Sequence, residues 1–203
     1  MKTNLVAITM KKISLLVISL VLISCASLGH DFSEQSADQA LMIWVEKDEA
    51  FISGILNSSL PEKFSNVIRQ NPNVHTLVLV DIPGSVDQDA TMNAARLIRR
   101  LGLNTHIART GYVLSGGVDL FLGGVKRSIG PGAGVGVHSW LDGLGLDPKD
   151  LSRSDPIHAT YVNFFLEMGV PEDFYWFSLE AAPANRVYFM TPEEIFDYRI
   201  DTE

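Results

Sequence analysis

The chain has 203 residues, 46% hydrophobic and 20% charged, which suits one ordinary globular domain with a sizeable core. A formal charge of −8 argues against nucleic acid as a partner, because phosphate binding needs a basic footprint. The single cysteine rules out an intramolecular disulfide.

Residues 1–24 read as a secretion signal rather than as part of the fold. Lys11 and Lys12 give a basic start just after Met10, an alternative start of translation, and Ile13 to Ile23 is an apolar run too short to span a bilayer comfortably. The run closes on Leu22-Ile23-Ser24-Cys25, which resembles the lipobox of bacterial lipoproteins and implies a lipid on Cys25. Cleavage there removes Lys2, Lys11 and Lys12 and takes the charge from −8 to −11, so anionic lipid would repel the body and only acyl chains would hold it. Ala26 after the cysteine resembles the sorting pattern of outer-membrane lipoproteins, which implies a lipid-anchored protein facing the periplasm. Residues 25–39 form a polar tether, and the domain is expected over 40–203.

From Leu41 to Leu56 two β-rich halves flank Glu46-Lys47-Asp48-Glu49, predicting a hairpin. A helix is expected over Ser59 to Gln70, with Pro61 in its first turn. Val74 to Val80 is a nearly continuous apolar strand of the kind buried in a parallel sheet, ending in Asp81-Ile82-Pro83-Gly84-Ser85-Val86. Asp87 to Leu101 predicts an amphipathic helix closing at Gly102, with Arg96, Arg99 and Arg100 on its solvated face.

Thr105 to Leu114 is a second β-like run, interrupted at Thr110-Gly111. A short helix after Ser115, a strand over Val125 to Ile129, a glycine turn and a strand over Val135 to Val137 follow. Leu141 to Pro156 lacks a period and reads as a mobile loop. Helices are expected over Ile157 to Met168 and Pro171 to Ala181, a strand over Arg186 to Met190, and a last helix opened by Thr191-Pro192-Glu193-Glu194. Alternating strands and helices predict an α/β fold, a mostly parallel sheet with flanking helices and sites at the carboxyl ends of its strands.

Two such ends carry chemistry. Ser115 stands between a strand and a helix, followed by Gly116 and Gly117, and His138 closes a neighbouring strand 23 residues on. A helix cap and a buried hydrogen-bonding histidine are the plain alternatives. Together they supply a nucleophile and a base, and the amides of Gly116 and of Gly84 or Ser85 would face a developing oxyanion. The run Gly130 to Gly136 lacks a phosphate-loop pattern, and the histidines lack metal-ligand spacing. Val113 breaks the Gly-x-Ser-x-Gly signature of an α/β-hydrolase.

Ser115, Leu122-Gly123-Gly124, Lys126-Arg127, Pro131 and His138 resemble, in that order, the ClpP/crotonase superfamily and within it the proteolytic subunit of the Clp protease. Asp81 to Val86 is similar to that family's Asn-Ser-Pro-Gly-Gly turn, and Phe189 to Glu194 to its late segment. The resemblance implies the ClpP/crotonase-like fold, a serine peptidase acting on peptide or protein, no cofactor and no metal, and a homo-oligomer. Ser85 replaces the second glycine of the turn. The position of the family's aspartate falls near Val187, leaving Asn185, Glu180, Asp173 and Glu172 as candidates for the third member. Ser115-Gly116-Gly117 also resembles signal peptide peptidases, but no lysine stands near Glu167 to form their Ser-Lys dyad. The competing expectation is a non-catalytic envelope lipoprotein that keeps the fold for binding or assembly. Acyl-CoA chemistry is disfavoured by an envelope location.

Overall fold

The computed structural model describes residues 40–142 and 144–203. The predicted signal peptide, Cys25 and the tether lie outside the described residues. Seven strands form one sheet. β1 (Met42–Glu46) and β2 (Glu49–Ser53) make the expected antiparallel hairpin, with Lys47 at φ 59° in its turn. β2, β3 (Thr76–Ile82), β4 (Asn104–Leu114), β5 (Arg127–Ile129) and β6 (Gly134–Val137) run parallel. β7 (Tyr188–Phe189) closes the far edge antiparallel to β6.

β4 is the longest strand and has two partners on one side. β5 pairs with its first half, at Thr105 to Ile107, and β6 with its second half, at Tyr112 to Leu114. The interruption read at Thr110-Gly111 is a bulge inside one continuous strand. Thr110 has φ 58°, and the β3–β4 register moves from Leu79↔Ile107 to Asp81↔Tyr112. The bulge bends the strand and aims its end, Leu114, at the site.

Six α-helices and a short 3-10 turn at Pro148–Asp150 complete the described fold: α1 (Leu60–Gln70), α2 (Gln88–Arg100), α3 (Gly116–Leu122), α4 (Pro156–Glu167), α5 (Asp173–Ala181) and α6 (Pro192–Asp197). Their starts follow local chemistry. Asp87 accepts the Ala90 amide, Asp155 accepts that of Ile157, and Thr191 and Glu194 form a reciprocal capping box. Every residue of α3 is buried, and the helix lies between β4 and α2 as part of the core with Ile52, Leu79, Ile82, Ile98 and Phe164. Each such apolar side chain contributes roughly 1.5–3 kcal/mol by leaving water.

The α2 arginines depart from expectation. Arg96 pairs with Glu167 at 2.6 Å, and Arg99 turns inward to donate to the carbonyls of Leu122, Gly124 and Met168 at 2.9–3.0 Å. The periodicity of α2 put Arg99 on its polar side; what it meets there is the carbonyl-rich ends of two other helices, where a guanidinium is favoured. Among the described residues no helix is long and apolar enough to cross a membrane.

Candidate active site

The carboxyl ends of three adjacent parallel strands, β3, β4 and β6, meet at one place. Ser115 follows β4 with φ 53° and ψ −128°, a conformation that costs a non-glycine residue about 1–3 kcal/mol. Two backbone bonds hold it. Its amide donates to Gly136 O at 2.9 Å, and its carbonyl accepts from the Val118 amide at 2.8 Å. The side chain makes no capping bond to α3, so the helix-cap reading fails. A strained strand-to-helix turn that projects an uncommitted serine hydroxyl is the geometry of a nucleophile elbow. The close approach of Gly117 to Ile82 requires a glycine two residues after the serine; two residues before it, Val113 is a core residue.

His138 follows β6 on the neighbouring tip, since Leu114 pairs with Gly136. Its Nδ1 lies 2.6 Å from Ser139 O. A carbonyl can only accept, so Nδ1 carries the proton and Nε2 keeps its lone pair. Nε2 has no hydrogen-bond partner among the described residues. Burial lowers the imidazole's pKa from its ordinary value, and the Ser139 carbonyl offsets part of that shift. Ser115 and His138 line two cavities in common. One, of about 60 Å³, runs inward past Val118 and Phe165; the other, of about 150 Å³, is bounded by Ile55 and Pro83 to Val86. No hydrogen bond joins the hydroxyl to the imidazole among the described residues, as is common in unliganded sites.

The turn after β3 faces the serine. Gly84 has φ 148°, and a Cβ built on it would lie 3.5 Å from Ser115 Cβ and 4.0 Å from Ser115 Oγ. Ser85 does not share the positive φ, so replacing the second glycine costs the turn nothing in backbone conformation. The bridge between Leu56 and Ser85 uses the Gly84 carbonyl and the Val86 amide, leaving the Ser85 amide without a partner among the described residues. That amide lies 3.5 Å from where a Cβ on Gly116 would stand. The Gly116 amide, first of α3, has no intrahelical acceptor. The Ser85 and Gly116 amides, without hydrogen-bond partners among the described residues, thus stand on the two turns beside Ser115, where an oxyanion hole would need donors.

The structure does not bring the proposed third members to the imidazole. Asp173, Glu180 and Asn185, like Glu172, are exposed on or beside α5 and line neither cavity. The orienting contact comes instead from the Ser139 backbone, which no side-chain motif announces. An acid missed in the sequence does lie in the inner cavity. Asp119 on α3 is 8% exposed, accepts a bond from Gln88 Nε2, and is pushed by burial up to about 7. Among the described residues no group of three or more potential metal ligands occurs.

No protein-family model and no curated protein matches this sequence. Solved structures do. A mutant of the 1510-N membrane-bound stomatin-specific protease superposes with a TM-score of 0.53 at 18% identity, covering 74% of this chain and 75% of its own. A ClpP1 mutant from Listeria monocytogenes does so with a TM-score of 0.54 at 16% identity, covering 76% and 88%. The fold is that of the ClpP/crotonase superfamily. Within the ClpP/crotonase fold the crossover from β3 through α2 to β4 presents the Pro83–Val86 turn to the Ser115 tip, and β6 adds His138. At such identities the likeness establishes the architecture, and the chemistry rests on the residues above.

Proposed function

We propose that this chain is a serine hydrolase of the peptidase type in the bacterial cell envelope. One observation carries the reading: Ser115 is held in a strained elbow with its hydroxyl uncommitted, beside a histidine whose Nδ1 proton is fixed on a carbonyl. Ser115 Oγ attacks the scissile carbonyl carbon while His138 Nε2 takes the hydroxyl proton. The amides of Ser85 and Gly116 stabilise the tetrahedral oxyanion. The imidazolium then gives its proton to the leaving amine, the C–N bond breaks, and water repeats the sequence on the acyl-enzyme. The superposed relatives support the reading insofar as both are named as proteases or ClpP proteins. The lipid on Cys25, the outer-membrane address facing the periplasm and assembly into a homo-oligomer belong to the same proposal.

A fluorophosphonate probe tests it. Labelling of the purified mature protein is expected to vanish in Ser115→Ala and persist in Ser139→Ala. A second reading, a binding module without chemistry, is favoured by the absence, among the described residues, of a carboxylate on the imidazole. A folded protein that stays unlabelled from mildly acid to alkaline pH would establish that alternative. The anchor has its own test: incorporation of labelled palmitate in a bacterial host, expected for the wild type and lost in Cys25→Ser.

A further inference from the structure

The inner cavity holds an acid that the hydrolytic steps above do not use. Asp119 stands one helical turn beyond Ser115, about 5.4 Å of rise along α3. One of its carboxyl oxygens accepts from Gln88 Nε2. The other has no hydrogen-bond partner among the described residues, and it is not enclosed, because the enclosed unpaired polar atoms of the described side chains are Ser139 Oγ and His158 Nε2. Asp119 is 8% exposed and lines the cavity, so its open oxygen borders that space. An acid buried without a cation is costly, and burial pushes this one up to about 7.

Nothing on the cavity wall supplies the missing charge. No lysine or arginine lines it, and its one base, His138, is held toward the neutral form by burial. The field there is negative: after burial, the charge of Asp119 and, more weakly, that of Asp89 hold the Tyr161 hydroxyl above its ordinary range. The remaining wall is aromatic and apolar. Tyr161 is stacked between Trp140 and Tyr175, with ring centroids 5.5 and 5.4 Å apart, and Val118, Phe165 and Phe174 stand beside them. The Tyr175 hydroxyl is held in turn by His158 Nδ1 at 2.7 Å and Trp140 Nε1 at 3.4 Å. Apolar walls around one open carboxyl suit a side chain with a hydrocarbon stem and a cationic end.

Building on the hydrolase reading, we propose that this cavity receives a basic side chain, lysine or arginine, on the acyl side of the cleaved bond, and that Asp119 is the residue that selects it. The acyl carbon is the atom that bonds to Ser115 Oγ, so the side chain next to it starts at the mouth of this cavity. One helical turn then separates the serine from the acid, a step that the four-carbon stem of lysine covers. An ammonium or guanidinium donates to the open Asp119 oxygen and favours the charged carboxylate. A neutral end of the same length leaves that oxygen unpaired, the situation in which hydrogen-bonding sites discriminate best, and an acidic end sets two like charges together.

The test uses fluorogenic peptides that differ only in the acyl-side residue: arginine against citrulline, lysine against norleucine, and glutamate. Citrulline and norleucine keep the length of the basic side chain and remove its charge. The purified mature protein is expected to favour arginine over citrulline, and lysine over norleucine, by about 10- to 100-fold in kcat/KM, the worth of a hydrogen bond between charged groups, with glutamate the poorest substrate. Asp119→Asn and Asp119→Ser both remove the charge, and whichever of them folds should bring the two ratios to near unity. Each ratio is internal to its variant, so an overall loss of rate does not disturb it, and the wild-type ratios stand whatever the variants do. Wild-type ratios near unity, faster cleavage after glutamate than after lysine or arginine, or ratios unchanged in a folded variant overturn the assignment. Fluorophosphonate labelling separates the two levels: a labelled enzyme that cleaves the basic peptides no faster than their neutral partners overturns this pocket alone, and an unlabelled one removes the hydrolase reading and the pocket with it.

Discussion

Among the described residues no carboxylate supports the His138 imidazole, so as the proposed base it would rely on the Ser139 carbonyl alone. A backbone carbonyl fixes the tautomer but carries only a partial charge, so it stabilises the imidazolium less than a carboxylate would. Burial then dominates and the pKa falls below its ordinary 6.5. The base form therefore persists to lower pH, and the rate of Ser115 labelling should rise with pH through a midpoint below 6.5 and be level above it; a midpoint above 7 would contradict this arrangement. Asp119 carries the opposite sign. Its folded pKa of about 7 exceeds its ordinary 3.8, so the folded state binds the extra proton between those values and stability falls as pH rises through that window. Asp119→Asn removes the penalty while keeping the Gln88 contact within reach. Urea denaturation should show the variant more stable than the wild type at pH 8, by on the order of a few kcal/mol, with the gap closing toward pH 4. The meeting of Ser115 and His138 on neighbouring strand tips was legible because each closes a β-like run in the sequence, with glycines following the serine. Asp119 had a fainter signal, one acid in the otherwise apolar run Val118 to Leu122, which only the burial of the whole helix makes conspicuous.

Elements are positioned here by where backbones touch. α3 reaches the serine because glycines let it lie against three neighbours: a Cβ on Gly116 would stand 2.5 Å from Ser85 Cβ, one on Gly117 2.7 Å from Ile82 Cγ2, and one on Gly123 2.6 Å from Ala95 O. The last contact is with the backbone of α2, which cannot rotate aside. Gly123→Ala should therefore cost about 1–3 kcal/mol by overpacking, read from the denaturation midpoint. Gly102→Ala, where the added methyl meets nothing within 4 Å, costs only its left-handed backbone strain, about 1 kcal/mol. Equal losses at both sites would mean that the packing of α3 on α2 is looser than these contacts show. Periodicity revealed each of these elements to within a few residues. It could not reveal that β4 continues through Thr110-Gly111, since the bulge is set by the partner strand: a Cβ on Gly111 would lie 2.2 Å from Val80 O. Nor could it show that one strand serves two partners, β5 and β6, because pairing is a property of the assembled sheet.

At the scale of the whole molecule, the end of the sheet away from Ser115 is closed by two arginines. Arg127, 3% exposed at the start of β5, donates to Ile200 O at 2.7 Å, Arg199 O at 2.7 Å, Met168 O at 3.1 Å and Gly124 O at 3.3 Å. Arg99 shares the last two acceptors. The segments that follow α3, α4 and α6 are thus tied to the sheet through carbonyls that their helices leave unpaired. Desolvation and the neighbouring Arg99 charge lower the Arg127 pKa to about 10, with Asp201 offsetting part of the shift. Burying this charge is tolerable because the guanidinium meets four oxygens in fixed directions, which an ammonium on a flexible stem does not reproduce. Arg127→Met should cost roughly 2–3 kcal/mol, the scale of losing charged hydrogen bonds and leaving their acceptors unpaired, and Arg127→Lys should recover little of it. The loss should not reach the site. β5 pairs with β4 at Ile107, seven residues before Leu114, which at about 3.3 Å per residue is on the order of 20 Å from the strand tip. Arg127→Met is therefore expected to lower the denaturation midpoint while fluorophosphonate labels its folded fraction at the wild-type rate. A labelling rate that falls in proportion to stability would instead mean that the two ends of β4 unfold and act as one unit.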